Sequence, residues 1–126
     1  MSPVLAAVGR ADVANYVITL VYVYVILIFI RVLMSCTPAF YALVVEALVD
    51  AGVAHGLAPD MAATMAVESM AGTAAVLRAR DRDTRALRAR VTSPGGMTAR
   101  GLAALERDGV RAAFEDAVAA VVEGRR

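Results

Sequence analysis

The sequence predicts an all-α protein in which one transmembrane helix is followed by a small domain of four to five helices. Two observations carry this prediction. The run from Val13 to Ile30 contains eighteen residues without a charge. After Pro38, apolar residues recur at helical spacing and no stretch alternates with a period of two residues. We therefore expect two parts, an N-terminal segment of residues 1–36 and a helical domain of residues 37–126.

The apolar run is long enough to cross a membrane. Eighteen helical residues extend about 27 Å, close to the hydrocarbon thickness of a bilayer. The span is expected at residues 13–34, with the Arg31 side chain reaching toward the interface. Two alternatives remain open. A cleaved signal peptide would have a shorter apolar core. A buried pair of strands would suit the Val, Ile and Tyr content, although no turn residue follows Asn15.

The first two helices of the domain are marked by their ends. One helix is predicted from Pro38 to Ala54, with Gly56 as its C-terminal cap. Pro59 suits the first turn of the next helix, which is expected to continue to about Arg80, and Asp60 places a negative charge in that turn. This second helix is expected to bury an apolar stripe consisting of Met61, Met65, Met70, Ala74 and Leu77.

The remaining helices are shorter. Thr84 is expected to cap a helix that ends near Arg90. After a loop, a helix is predicted from Thr98 to Arg107. A turn at Asp108 and Gly109 then leads to a last helix from Val110 to Glu123.

Composition excludes several classes of function. The net charge is only +1, so no nucleic-acid surface is expected. Cys36 and His55 are the sole residues of their types, so neither an internal disulfide nor a multi-histidine metal site is expected. No Gly-x-Gly-x-x-Gly motif occurs, and the chain is expected to bind no dinucleotide cofactor by itself.

The loop before the helix predicted from Thr98 to Arg107 is the strongest candidate for a binding site. Pro94 stiffens it, and Gly95 and Gly96 can adopt a positive φ and turn several N–H groups to one side. These amides lead into a helix opening at Thr98, an arrangement suited to a carboxylate. By itself, Ser93-Pro94-Gly95-Gly96 is more typical of an ordinary loop between helices.

A resemblance to a known family strengthens the case that this loop binds a ligand. The loop belongs to an ordered set of segments: Pro38 to Val53 with Gly56-Leu57, Met70 to Ala75, Leu87, Val91 to Thr98, Leu105 to Arg111, and Ala117-Val118. Through these segments, residues 38 to about 123 resemble the C-terminal dimerisation domain of pyrroline-5-carboxylate reductase.

The resemblance implies a fold, a reaction and a set of site residues. Enzymes of that family reduce 1-pyrroline-5-carboxylate to L-proline with NADPH or NADH, and their helical domains interlock into a homodimer. Amides at Gly96, Met97 and Thr98 would then hold the substrate carboxylate, within a loop that Ser93 and Gly95 shape. The Thr98 hydroxyl would lie near the ring nitrogen, as the candidate catalytic group.

The sequence departs from that family at its N-terminal side. The Rossmann domain that binds the cofactor is missing, so catalysis by this chain alone is not expected. Asp12 to Tyr16, the apolar run and Ile28 to Ser35 instead give residues 12–35 a resemblance to the first membrane helix of the YggT family, small bacterial membrane proteins with poorly defined roles. The sequence therefore leaves three hypotheses: a membrane-tethered reductase domain, a non-enzymatic association module, or the product of a fused or truncated gene.

Location follows from the apolar run. If residues 13–34 insert, the positive-inside rule favours the bacterial inner membrane with the Arg-rich C-terminal domain in the cytoplasm. If they do not insert, the whole protein is expected in the cytoplasm.

Overall fold

A computed structural model of the chain describes residues 3–124, with side chains from Asp12 onward. The described residues form helices joined by short turns and contain no strand, as the sequence predicted. A five-residue π-helical turn, Val32–Cys36, joins the first two α-helices. The α-helices are α1 (Pro3–Arg31), α2 (Thr37–Ala54), α3 (Pro59–Ala79), α4 (Thr84–Arg90), α5 (Met97–Arg107) and α6 (Val110–Glu123).

The chain divides into two compact units. Among the described residues, one consists of those from Pro3 to Pro38 together with those from Val118 to Gly124, and the other is Ala39–Ala117. In the first unit, Val13 to Ile30 is helical throughout, so the alternative of a strand pair is wrong. The helical backbone Asp12–Ala54 is the one helix among the described residues that is long and apolar enough to cross a membrane, with a mean hydropathy of 2.6.

Helical structure continues past the predicted end of the span at Met34. The π-helical turn bridges the predicted gap, and both the backbone amide and the hydroxyl of Thr37 donate to Val32 O, the hydroxyl at 3.2 Å. A proline in a helix lacks an amide donor and clashes with the carbonyl four residues earlier. A wider turn immediately before Pro38 accommodates that ring, so the helix continues where the sequence predicted a break.

The link between α2 and α3 has the predicted C-terminal cap at Gly56. Gly56 has a φ of +96°, and its amide donates to Val53 O while the Leu57 amide donates to Gly52 O. These two bonds form a Schellman motif, which needs a left-handed residue at Gly56. A Cβ added at Gly52 would lie 3.3 Å from the Ala62 Cβ, which shows how closely the two helices approach.

Two predicted helix starts need correction. The side chain of Asp83, and not Thr84, caps α4 by accepting a hydrogen bond from the Ala86 amide at 2.9 Å. Helix α5 begins at Met97 with Gly96 as its N-cap, one residue before the predicted start at Thr98.

The predicted burial of the methionine stripe is wrong for the single chain. Met61 and Met65 are more than half exposed, and Met70 is 41% exposed. Of the side chains that the structure describes, only Val32 and Ala62 are buried. The helical period was correct, but in the single chain only Leu77 of the stripe is half-buried, and Ala74 is exposed like the three methionines.

Candidate functional site

The candidate loop is a tight turn between α4 and α5. The Gly96 amide donates to Ser93 O at 3.0 Å, and Gly95 has a φ of +68°. A proline in the second position and a left-handed glycine in the third are typical of a type II turn. The predicted bend at Ser93-Pro94-Gly95-Gly96 is therefore present.

Gly96 also has no room for a side chain. A Cβ at this position would clash with Ser93 Oγ and would lie 3.1 Å from Ser93 O. Gly96 adopts an extended backbone, with φ −71° and ψ 178°, and caps α5 without a side-chain hydrogen bond. The absence of a Cβ lets the turn close tightly against the start of the helix.

Of the three amides that the resemblance assigns to a carboxylate, the turn leaves only two free. The Gly96 amide, which the resemblance assigns to a substrate carboxylate, is occupied by Ser93 O. The amides of Met97 and Thr98 form no backbone hydrogen bond among the residues that the structure describes. Both residues are exposed at the N-terminus of α5, where the helix dipole favours an anion. The substrate roles of Ser93, Gly95, Gly96, Met97 and Thr98 stay predictions.

Two residues beside the loop were missed by the sequence reasoning. The Arg100 Nη1 atom donates to Gly95 O at 3.1 Å, from one turn inside α5. The Thr92 hydroxyl oxygen is buried and has no hydrogen-bond partner in the described part of the chain. An Arg five residues after a turn glycine is a weak signal in a chain this rich in arginine, and nothing in the sequence pattern indicated that Thr92 would be buried.

A charge cluster ties together the three helices around the loop. Glu106 on α5 accepts hydrogen bonds from Arg111 on α6, at 2.8 Å from Nε to Oε2 and 2.6 Å from Nη2 to Oε1. Arg88 on α4 lies 3.7 Å from the same carboxylate. The hydrogen bonds from Arg111, with the positive charges of both arginines, lower the pKa of Glu106 below its ordinary value.

Two apolar grooves lie on either side of α2 in the second unit. The first has a volume of about 620 Å³ and lies between α2, α5 and α6. The second has a volume of about 510 Å³ and lies between α2 and α3. Val44 and Leu48 line both grooves. Leu43, which lines the first, is 64% exposed in the single chain, so a large apolar surface of α2 is left open.

The described residues offer no metal centre. They contain no group of three or more His, Cys, Asp or Glu side chains that could hold an ion. His55 lies at the end of α2 and is exposed, with its Nδ1 atom 2.8 Å from Ala51 O.

The comparisons with known proteins agree with one another. The family model for pyrroline-5-carboxylate reductase dimerisation matches residues 28–126. The pyrroline-5-carboxylate reductase of Treponema pallidum is 45% identical over 91 residues, which are 72% of this chain and 35% of the relative. That of Mycobacterium leprae is 45% identical in an alignment that covers 66% of this chain and 34% of the relative.

A solved structure shows the same similarity in three dimensions. The crystal structure of Plasmodium falciparum pyrroline carboxylate reductase, with NADP bound, aligns with a TM-score of 0.74 and 30% sequence identity. The alignment covers 78% of this chain and 40% of that one. The chain spans about a third of the length of the bacterial relatives that it matches. It belongs to the pyrroline-5-carboxylate reductase dimerisation family.

Proposed function

We propose that this chain is the dimerisation and substrate-binding half of a pyrroline-5-carboxylate reductase. The observation that carries the proposal is the family match over residues 28–126, which contains both the open apolar grooves and the turn before α5. In this role the grooves beside α2 receive a second copy of the chain. The loop from Ser93 to Thr98 receives the carboxylate of pyrroline-5-carboxylate or proline.

The grooves support self-association because they are apolar and belong to a domain with little core of its own. Small helical domains with exposed apolar faces are stabilised by burying those faces against a partner. A homodimer places the same surface on both copies, so α2 would supply contacts to both sides of the interface.

The loop supports carboxylate binding through donors that the fold leaves free. The Met97 and Thr98 amides can each donate to a carboxylate oxygen at the positive end of α5. The exposed Thr98 hydroxyl is the group that would contact the ring nitrogen. Because hydroxyl and amide donors are neutral, binding of proline is expected to be weak in the absence of other contacts.

A nicotinamide dinucleotide does not fit the residues that this chain supplies. Such cofactors bind at the carboxyl ends of parallel strands, over a glycine-rich turn. The described residues contain no strand, and the sequence contains no Gly-x-Gly-x-x-Gly. We therefore assign no hydride transfer to these residues, and reduction would require a cofactor domain in addition to them.

Two measurements on the full chain in detergent micelles test this function. Titration with proline should shift the Met97 and Thr98 amide resonances saturably, and Thr98→Val should weaken the response while Thr84→Val does not. Oxidation of NADPH with pyrroline-5-carboxylate should not exceed the background rate. Turnover at the rate of a complete reductase would refute the assignment of an incomplete site. A dimer without proline-induced shifts would favour the non-enzymatic association module.

A second role is favoured by the exposure of α1. Its large apolar side chains from Val13 to Ile30 are mostly exposed, and a helix apolar on all sides is stable only when buried. Its one described threonine, Thr19, donates its hydroxyl to Asn15 O at 2.8 Å, as a hydroxyl in lipid must. We propose that residues 13–34 anchor the protein in the bacterial inner membrane, with the C-terminal domain in the cytoplasm.

The anchor is tested by extraction and labelling. Alkaline carbonate should leave the protein in the membrane fraction, and its release would contradict insertion. An Arg90→Cys variant in a Cys36→Ser background should react with an impermeant maleimide in inverted vesicles only. A cellular product that lacks the apolar segment would instead identify a cleaved signal peptide. A fused or truncated gene is tested by reading the flanking DNA, where an upstream Rossmann-encoding segment in another frame would indicate a broken reductase gene.

A further inference from the structure

Arg100 makes a contact that the family resemblance does not assign. Its guanidinium Nη1 atom donates to Gly95 O at 3.1 Å, while its backbone amide donates to Gly96 O at 3.2 Å within the first turn of α5. The side chain is exposed, so its remaining N–H donors face solvent. Arg100 therefore connects the helix to the turn that precedes it.

The contact fixes one particular peptide group. The carbonyl of Gly95 and the amide of Gly96 belong to the same peptide plane. Arg100 holds the carbonyl end, and Ser93 O accepts from the amide end at 3.0 Å. Two glycines in succession allow a peptide plane to rotate at little steric cost. With both ends bonded, rotation of this plane would break two hydrogen bonds at once.

The orientation of that plane sets the direction of the next amides. The Met97 amide follows directly from Gly96, whose ψ of 178° carries the extended turn into the helix. If the preceding plane rotated, the start of α5 would lose its N-cap geometry and the Met97 amide would turn away from the helix axis.

We propose that Arg100 is a positioning residue that clamps the Gly95–Gly96 peptide and so pre-orients the Met97 and Thr98 amides toward a carboxylate. The inference rests on the proposed carboxylate site. Preorganisation of this kind improves affinity because less ordering is needed when the ligand binds. Loss of one charge-assisted hydrogen bond at an exposed site is expected to reduce affinity about fivefold.

The experiment uses the full chain in micelles, with proline as the probe. Arg100→Ala is compared with Arg100→Lys, which retains a charged donor, and with Arg85→Ala, which removes an exposed arginine on α4. Hydrogen exchange of the Gly96 amide is measured without ligand, and the dissociation constant of proline is measured at low and high salt. Far-UV circular dichroism checks that each variant is folded.

The clamp predicts a specific set of results. Gly96 should exchange several-fold faster in Arg100→Ala, with near-normal exchange in Arg100→Lys and Arg85→Ala. Proline should bind about fivefold more weakly to Arg100→Ala, and the deficit should persist at high salt. A deficit that disappears at high salt would show a charge effect only and would overturn the positioning role. Unchanged Gly96 exchange would overturn it as well, as would faster exchange with unchanged affinity.

The two proposals fail in different ways. If proline does not bind the wild-type chain, the proposed carboxylate site fails, and the positioning of amides for a ligand fails with it. If proline binds and Arg100→Ala binds it equally well, the carboxylate site stands and only the role of Arg100 is refuted.

Discussion

Replacement of Leu48 by alanine tests whether the grooves beside α2 are the surface that a second copy covers. Leu48 lines both grooves and is 57% exposed in the single chain. The part of the side chain that is already covered in the single chain is buried in both monomer and dimer, so its loss does not change the dissociation constant. The exposed part is what a partner can bury, so the substitution should act on dimerisation.

The magnitude follows from that exposed fraction. Full burial of a leucine side chain contributes about 1.5 to 3 kcal/mol, and a little over half of it remains to be covered at Leu48. Truncation should therefore remove about 1 to 1.5 kcal/mol for each copy. In a symmetric dimer the loss occurs twice, so the dissociation constant should rise roughly 30- to 150-fold.

Sedimentation equilibrium of the full chain in density-matched micelles measures this change. Val91→Ala is a matched control, because Val91 is also 57% exposed but lies outside both grooves. It should leave the dissociation constant within about twofold of wild type. Leu48→Met, which conserves volume, should dimerise nearly normally. If folded Leu48→Ala protein dissociates at the wild-type concentration, or if Val91→Ala dissociates as readily, the interface does not lie at these grooves.

Three further substitutions test local features by unfolding. Thr92→Val removes a buried hydroxyl that has no partner among the described residues, so urea denaturation should give a free energy of unfolding about 1 kcal/mol higher than that of wild type. A lower free energy of unfolding would show that the hydroxyl has a partner. Asp81 has a φ of +49°, a conformation that glycine adopts without strain, so Asp81→Gly should raise the free energy of unfolding by about 0.5 to 1 kcal/mol. Arg80 has a φ of −131°, so the control Arg80→Gly should not raise it. Because Arg111 lowers the pKa of Glu106, the pair stabilises the fold above the ordinary value of 4.5. The melting temperature of wild type should therefore exceed that of Glu106→Gln above this pH, and the difference should shrink as the pH falls below it. A difference that does not depend on pH would refute this.

The helix order was predictable because its signals are local. A positive φ at Gly56 and a proline in the first turn of α3 each depend on a few neighbouring residues. The Asp108-Gly109 turn before α6 is of the same kind, with Gly109 at a φ of +78°. The bend of the candidate loop was also predictable, since Pro94 and Gly95 suit only a few turn types.

The remaining features depend on residues that meet only after folding. The periodicity of the Met61, Met65 and Met70 stripe identified a helix, but periodicity cannot say whether the covering surface lies in the same chain. The occupied Gly96 amide depends on whether the turn closes its hydrogen bond to Ser93 O, because a substantial fraction of turns with suitable residues leave that bond open. The same holds for Arg100, whose contact with the Gly95 carbonyl exists only once α5 and the turn are both formed.

The loop and the grooves are stabilised by different kinds of interaction, and this separates the two halves of the proposed function. The loop is held by short-range hydrogen bonds, from Gly96 to Ser93 and from Arg100 to Gly95, that lie within eight residues of one another. The helix faces depend on apolar burial, of which the single chain achieves little. Association should therefore stabilise the folded domain, so its melting temperature should rise with protein concentration. Once the helices are formed, the loop geometry requires no contribution from the partner.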